Sequence, residues 1–229
     1  MTPPQYRLAC LDMAGTTVCD DGAVMAAFGT ALDAIGIADG TPERQKAVDY
    51  TLETMGQSKI EVFRAIAGDE QAAQRANAAF EAAYLDSIRS GGVAGIDGAT
   101  DAIRTLREAG TKVALTTGFS VETRDALLDA LGWRDVADLV LSPADAGRGR
   151  PYPDMILTAV IRLAVDDVRQ VAVAGDTTSD LLSGHRAGAG VVAGVLTGAH
   201  TEADFATVPH TDVLGSVADL PALLGAAHA

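Results

Sequence analysis

Apolar and polar positions divide the chain into two patterns. The first apolar run, within residues 7–12 and including Leu8-Ala9-Cys10-Leu11, is short and leads into Asp12 and a Gly-containing turn, which reads as a buried strand. After the turn the spacing becomes helical. Val24, Phe28, Ala31, Leu32 and Ile35 recur at three- and four-residue intervals, and Gly36 stops the segment. Thr41-Pro42 predicts an N-cap with Pro at the first helical position, opening a helix towards Leu52. Gly56-Gln57-Ser58 breaks that helix, and Ser58 is the expected cap of a further one through Ile66. A long Ala-rich helix follows from Glu70 to Arg89, and Ser90–Gly95 reads as a linker.

Beyond the linker the pattern alternates. Helices are predicted at 99–109, 120–131, 153–163 and 181–187, with strands at 112–116, 139–141, 170–174 and 191–195. An edge strand at 212–214 and a closing helix at 218–224 complete the chain. Strands alternating with helices of this length imply βαβ units and a parallel sheet. The expected fold is therefore α/β: a Rossmann-like, doubly wound core of residues 1–18 and 96–229. A helical insert at 19–95 joins it just beyond the first strand, where it is placed to act as a cap.

Composition narrows the function classes. A net charge of −14 and a pI near 4.5 argue against nucleic acid or an anionic membrane as a partner. No apolar run approaches the length of a membrane span, and no secretory signal is visible, so a cytoplasmic location is the default expectation. Two cysteines, Cys10 and Cys19, are too few for a disulfide framework or a metal cluster. Only three lysines occur, Lys46, Lys59 and Lys112, so one in a site-like context is easy to single out.

Four features fall at the carboxyl ends of predicted strands, where open α/β sheets place ligands. They are Asp12; Thr117 with Gly118; Arg150 in a Gly/Pro-rich loop; and Asp176 with Asp180 behind it. Each alone has an ordinary reading as a turn cap, a strand-end hydroxyl, a surface cation or a helix cap. Together they describe a hard-oxygen site suited to Mg²⁺ and a substrate phosphoryl group. Thr117 and the amides of Gly15 and Gly118 are placed to hold phosphoryl oxygens, Arg150 to balance charge, and Asp12 to act as a nucleophile. His185, His200 and His210 fit no metal spacing and read as structural or exposed.

In order and spacing these elements resemble the haloacid dehalogenase superfamily of phosphoryl-transfer enzymes. The resemblance implies that Asp12 is the nucleophile, that Thr117 binds phosphate, and that Arg150 replaces the more usual Lys. It also implies that Asp12, the Ala14 carbonyl and Asp176 hold Mg²⁺, with Asp180 in support. One departure stands out: Ala14 occupies the position where most phosphatases and mutases of the superfamily carry an Asp as general acid. Such an acid contributes about 10²–10⁴-fold.

Several segments are similar to the phosphonoacetaldehyde hydrolase (phosphonatase) family. They are Asp12-x-Ala14-Gly15-Thr16-Thr17-Val18, Met55-Gly56-x-x-Lys59-Ile60, Thr116-Thr117-Gly118, Gly149–Pro153 and Gly175-Asp176-Thr177-x-Ser179-Asp180. This resemblance implies that Lys59 forms a Schiff base with an aldehyde substrate and that Met55 neighbours that substrate, with Ala14, Gly15, Thr16 and Gly118 around the phosphoryl group. Gly56-Gln57-Ser58-Lys59 also fits the Gly-x-Ser-Arg cap loop of β-phosphoglucomutase, which only binds substrate. Met13, Val62 and Phe119 stand where phosphonatase has Trp, His and Tyr. The expected activity is Mg²⁺-dependent cleavage of a small phosphonate such as phosphonoacetaldehyde. The alternatives are a phosphomonoesterase acting on a small phosphorylated substrate and a non-catalytic phosphate- or protein-binding module. The Ala-rich insert would permit a homodimer through the cap.

Overall fold

The structure is a computed structural model that describes residues 5–19 and 21–226. The domain bounds expected above also take in residues 1–4, 20 and 227–229, which lie outside the described residues.

The first apolar run forms β1 (Leu8–Asp12), buried along its whole length. A two-residue strand β2 (Val18–Cys19) leads into four helices, α1 (Ala23–Ala34), α2 (Pro42–Glu53), α3 (Lys59–Ala67) and α4 (Glu70–Arg89). The helical spacing does what it predicts. Val24, Ala27, Phe28 and Ala31 of α1 are buried in a common core with Phe80 and Tyr84 of α4, and Leu32 is buried as well. Thr41 caps α2 by accepting from the Arg44 amide at 3.2 Å, and Asp69 caps α4 by accepting from Ala72 at 2.8 Å. Ser58 occupies the cap position of α3, but its side chain makes no capping bond, contrary to the sequence expectation.

The Gly-rich linker is also more ordered than its composition suggests. Ala94–Gly95 forms β3, which pairs antiparallel with β2, so a short ribbon closes the point where the helices leave and rejoin the sheet. The Ile96 amide donates to the Thr17 carbonyl at 2.9 Å and extends the tie.

The remainder alternates as expected: α5 (Ala99–Glu108), β4 (Lys112–Thr116), α6 (Val121–Leu131), β5 (Leu139–Leu141), α7 (Pro143–Ala146), α8 (Asp154–Arg162), β6 (Val171–Gly175), α9 (Thr178–Ala187), β7 (Val191–Val195), α10 (Glu202–Phe205), β8 (Asp212–Leu214) and α11 (Leu220–Leu223). Periodicity misses α7 and α10, which are four residues each and too short to show it. The predicted closing helix is split, with a 3₁₀ turn at Val217–Asp219 before α11, because Pro221 lacks an N–H and is tolerated only in a first turn.

All six strands of the main sheet are parallel, in the order β5-β4-β1-β6-β7-β8. The chain runs from β1 to β4 on one side and reaches β6 on the other, so the order reverses at β1. That reversal opens a crevice at the carboxyl ends of β1, β4 and β6. Asp12 is in register with Thr116, and Leu11 with Ala174, which brings Asp12, Thr117 and Asp176 to one edge. No described helix is long and apolar enough to cross a membrane.

Candidate active site

The turn after β1 is held by one residue's backbone. The Met13 carbonyl accepts from the amides of Thr16, Thr17 and Val18 at 3.2, 2.8 and 2.7 Å, while the Thr17 hydroxyl donates to the Asp12 carbonyl at 2.9 Å. Gly15 sits in this turn at φ +83°, and a Cβ there would collide with the Asp176 carboxylate. Glycine is required both by backbone sign and by space.

Asp12, Asp176 and Asp180 are buried, and each offers an oxygen within 4.8 Å of the others. Arg150, 4% exposed, lies against them: Nη2 is 2.6 Å from Asp12 Oδ1 and Nη1 is 2.9 Å from Asp180 Oδ1. The same guanidinium donates to Thr116 Oγ1 at 3.2 Å and to the Gly56 carbonyl at 3.4 Å. The surface reading of Arg150 is thus excluded. Asp176 accepts from Thr16 Oγ1 at 3.1 Å and from the Ala199 amide at 2.8 Å. Asp180 closes a capping box at α9, where its carboxylate accepts from the amide and hydroxyl of Thr177.

Burial pushes the Asp12 carboxyl up to about 6; Arg150 opposes this and the Asp176 charge adds to it. Asp176 and Asp180 are raised for the same leading reason, each further raised by a neighbouring carboxylate. Three carboxylates around one guanidinium leave about two negative charges uncompensated when all are ionised. A dication bound by hard oxygen donors would answer that charge, so the buried aspartates fit a metal ion.

The cavity above them, about 310 Å³, is lined by Asp12, Ala14, Gly15, Met55, Gly56, Lys59, Thr117, Gly118, Phe119, Arg150 and Asp176, among others. Nearly all the residues singled out from the sequence therefore meet here, contributed by β1, the α2–α3 loop and the ends of β4 and β6. Two expectations change. The Gly15 amide already donates to the Val18 carbonyl at 2.8 Å, because the turn consumes it, so it is not a phosphoryl donor. Thr16 is fully buried with its hydroxyl on Asp176, and it serves that carboxylate rather than a substrate. Thr117 Oγ1 accepts from the Phe119 amide at 3.2 Å, which leaves its O–H to donate.

Lys59 is only 6% exposed. Its Nζ lies 5.5, 6.0 and 5.3 Å from the ring centroids of Phe28, Phe80 and Phe119, so three aromatic faces surround the ammonium. Sequence reasoning missed this cage because Phe28 falls on the apolar stripe of one helix and Phe80 lies far along the chain in the Ala-rich helix, with nothing local to bring them together. It also missed the segment Thr197–His200, whose Thr197 hydroxyl donates to the Gly15 carbonyl at 2.6 Å and whose Ala199 holds Asp176. A signal was present: Thr197-Gly198 directly follows an apolar strand, as Thr117-Gly118 does. Cys10 is core, its thiol pushed up to about 12 by burial.

Helix α2 ends in a loop that demands glycine. Gly56 has φ +84°, and a Cβ would stand 2.5 Å from Thr177 Oγ1. Gly56→Ala is expected to cost about 1–3 kcal/mol, read by chemical denaturation, and to raise KM by lifting the loop from Thr177.

Comparison with known proteins gives the family. A family model described as haloacid dehalogenase-like hydrolase matches residues 6–188, and the chain belongs to that family of enzymes. It is 26% identical over 224 residues to the probable phosphatase IndB of Dickeya dadantii, covering 97% of this chain and 94% of that protein. It is 29% identical over 215 residues to a phosphonoacetaldehyde hydrolase of Pseudomonas fluorescens, covering 86% of this chain and 75% of that protein. Phosphonoacetaldehyde hydrolases of Bacillus match over a shorter stretch, as in Bacillus mycoides, where 39% of the protein is covered. Among solved structures, a phosphonoacetaldehyde hydrolase-like protein from Oleispira antarctica superposes with a TM-score of 0.81 at 22% identity. That superposition covers 96% of this chain and 92% of the other, and it shows the shared fold.

Proposed function

We propose that this hydrolase cleaves the P–C bond of a small phosphonate carrying an aldehyde, such as phosphonoacetaldehyde, through an aspartyl-phosphate on Asp12. The observation that carries this reading is that Lys59 and Asp12 line one cavity while Ala14 occupies the position of the missing general acid. An oxygen leaving group expelled without an acid is costly. A carbon leaving group adjacent to an iminium needs none, since the iminium accepts the electron pair.

In this reading the Lys59 amine condenses with the substrate aldehyde and releases water, which gives an iminium. The Asp12 carboxylate then attacks phosphorus, the P–C bond breaks, and its electrons pass into the iminium to leave an enamine on Lys59. Water hydrolyses the aspartyl-phosphate to phosphate. Protonation and hydrolysis of the enamine free acetaldehyde and regenerate the amine. Thr117 and Arg150 orient the phosphoryl group, and Met55 borders the carbon side. Asp12, the Ala14 carbonyl and Asp176 would hold Mg²⁺, with Asp180 supporting Arg150 and Thr177 behind them. When bound, the ion supplies positive charge to the phosphoryl oxygens. The helices between β2 and β3 act as the cap that brings Lys59 over Asp12.

A phosphomonoesterase is the second reading. It is favoured by the full-length similarity to a probable phosphatase and by the phenylalanines around Lys59, which offer no proton-transfer group. Incubation with Mg²⁺ and phosphonoacetaldehyde is expected to release phosphate and acetaldehyde in equal amounts. Turnover of p-nitrophenyl phosphate with no acetaldehyde from the phosphonate would establish the phosphatase instead.

Metal dependence carries a pH signature. Folded Asp12 stays protonated to about pH 6, whereas the unfolded side chain ionises near 3.8. The folded protein binds more protons between those values, so metal-free stability falls as pH rises through the window. Mg²⁺ requires the carboxylates ionised. Its stabilisation, about 2.7 kcal/mol at a hundredfold excess over Kd, is expected at pH 8 and should shrink towards pH 5 in thermal melts.

A further inference from the structure

The segment that follows β7 touches both the acidic cluster and the helical insert. Thr197 bonds the turn after β1, Ala199 donates to Asp176 Oδ2, and the His200 amide donates to the Asp176 carbonyl at 3.2 Å. The His200 side chain then leaves the sheet edge. Its Nδ1 accepts from the Thr178 amide at 3.0 Å, and its Nε2 is 3.1 Å from the Leu52 carbonyl.

Both partners are helix-end groups. Thr178 is the first residue of α9, whose amide has no acceptor within its own helix, and Leu52 is the penultimate residue of α2, whose carbonyl lies beyond the regular ladder. The Thr178 N–H can only donate, so Nδ1 carries no proton, and the ring proton sits on Nε2 facing a carbonyl that can only accept. One imidazole thus joins a core helix to a helix of the insert, with its tautomer set by the two partners. The Leu52 carbonyl also accepts from the Met55 amide at 3.3 Å. The bond therefore reaches the start of the loop that presents Met55, Gly56 and Lys59 to the cavity.

We propose that His200 is a positioning residue, a hydrogen-bonded clasp that holds the Met55–Lys59 loop against the sheet edge by tying Leu52 of α2 to Thr178 of α9. It contacts no reacting atom in the proposed chemistry and acts through the loop. Its consequence for turnover rests on the reading of that loop as part of the active site. The clasp itself does not, so it is tested without substrate.

The test is amide hydrogen exchange on the full chain. Opening of a segment held by one such bond is expected to become about tenfold easier when the bond is lost. His200→Ala should therefore speed exchange across residues 54–57 about tenfold, with β6 unchanged. Two further variants divide the ring. His200→Gln keeps a donor long enough to reach Leu52 and should restore slow exchange at 54–57. His200→Asn keeps an acceptor near Thr178 and should protect that amide while 54–57 remain fast.

With p-nitrophenyl phosphate or phosphonoacetaldehyde, whichever is turned over, His200→Ala should raise KM more than it lowers kcat, and His200→Gln should recover KM. Unchanged exchange at 54–57 in His200→Ala would overturn the clasp, and so would equal rescue by Asn and Gln. Failure of either substrate would bear on the proposed reaction and leave the exchange result standing.

Discussion

Replacing Asp12 with asparagine is expected to lower phosphate release by at least about 10⁴-fold, the scale of losing a covalent nucleophile, while leaving the fold intact. Asparagine has nearly the same shape and can still face Arg150, so the core of β1 is undisturbed. The change also removes one negative charge from a buried group of three carboxylates gathered around a single guanidinium. The metal-free variant should accordingly melt at the same temperature as the parent or above it, with a weaker response to Mg²⁺. Mass spectrometry of quenched reactions should find phosphate on the Asp12 peptide of the parent and none in the variant. Retained turnover would remove Asp12 from the nucleophile's role and with it both enzymatic readings.

Lys59→Arg is expected to abolish phosphonoacetaldehyde cleavage, by at least about 10³-fold, and to preserve Mg²⁺-dependent stabilisation. Arginine keeps a cation among Phe28, Phe80 and Phe119 but cannot form an imine. Borohydride added during turnover should reduce the imine and leave a covalent adduct on the Lys59 peptide of the parent, absent from the variant. The two substitutions separate the chemistry. Asp12→Asn should still be trapped at Lys59, because condensation precedes attack at phosphorus. A parent enzyme that turns over phosphonoacetaldehyde without any trapped lysine would exclude the imine. Activity of Lys59→Arg on p-nitrophenyl phosphate alone would assign the lysine to substrate binding.

What the chain determined by itself is the set of properties carried by neighbours in sequence. Leu8 to Asp12 and Val171 to Gly175 are apolar runs, so they are strands, the first ending in a carboxylate and the second followed by one; α1 repeats at helical spacing; and Thr41 precedes the helix it caps. Parallel strands joined by helices place every strand's carboxyl end on one edge, so Asp12, Thr117 and Asp176 were legible together before any coordinate. The substitution of alanine at position 14 was equally plain.

Tertiary structure decided what depends on pairing across long separations. It set Arg150 between Asp12 and Asp180, where a Gly/Pro-rich loop read equally well as surface. It turned Thr16 from the cavity to Asp176, and spent the Gly15 amide inside the turn. It closed the linker into a ribbon with β2, ringed Lys59 with phenylalanines from α1, α4 and the end of β4, and carried His200 to Leu52 across 148 positions. The physical reason is the range of the forces that can be read locally. Periodicity and capping report only the next few residues, whereas a buried charge or an orphan helix end is satisfied by whatever group the packed fold brings within about 3 Å.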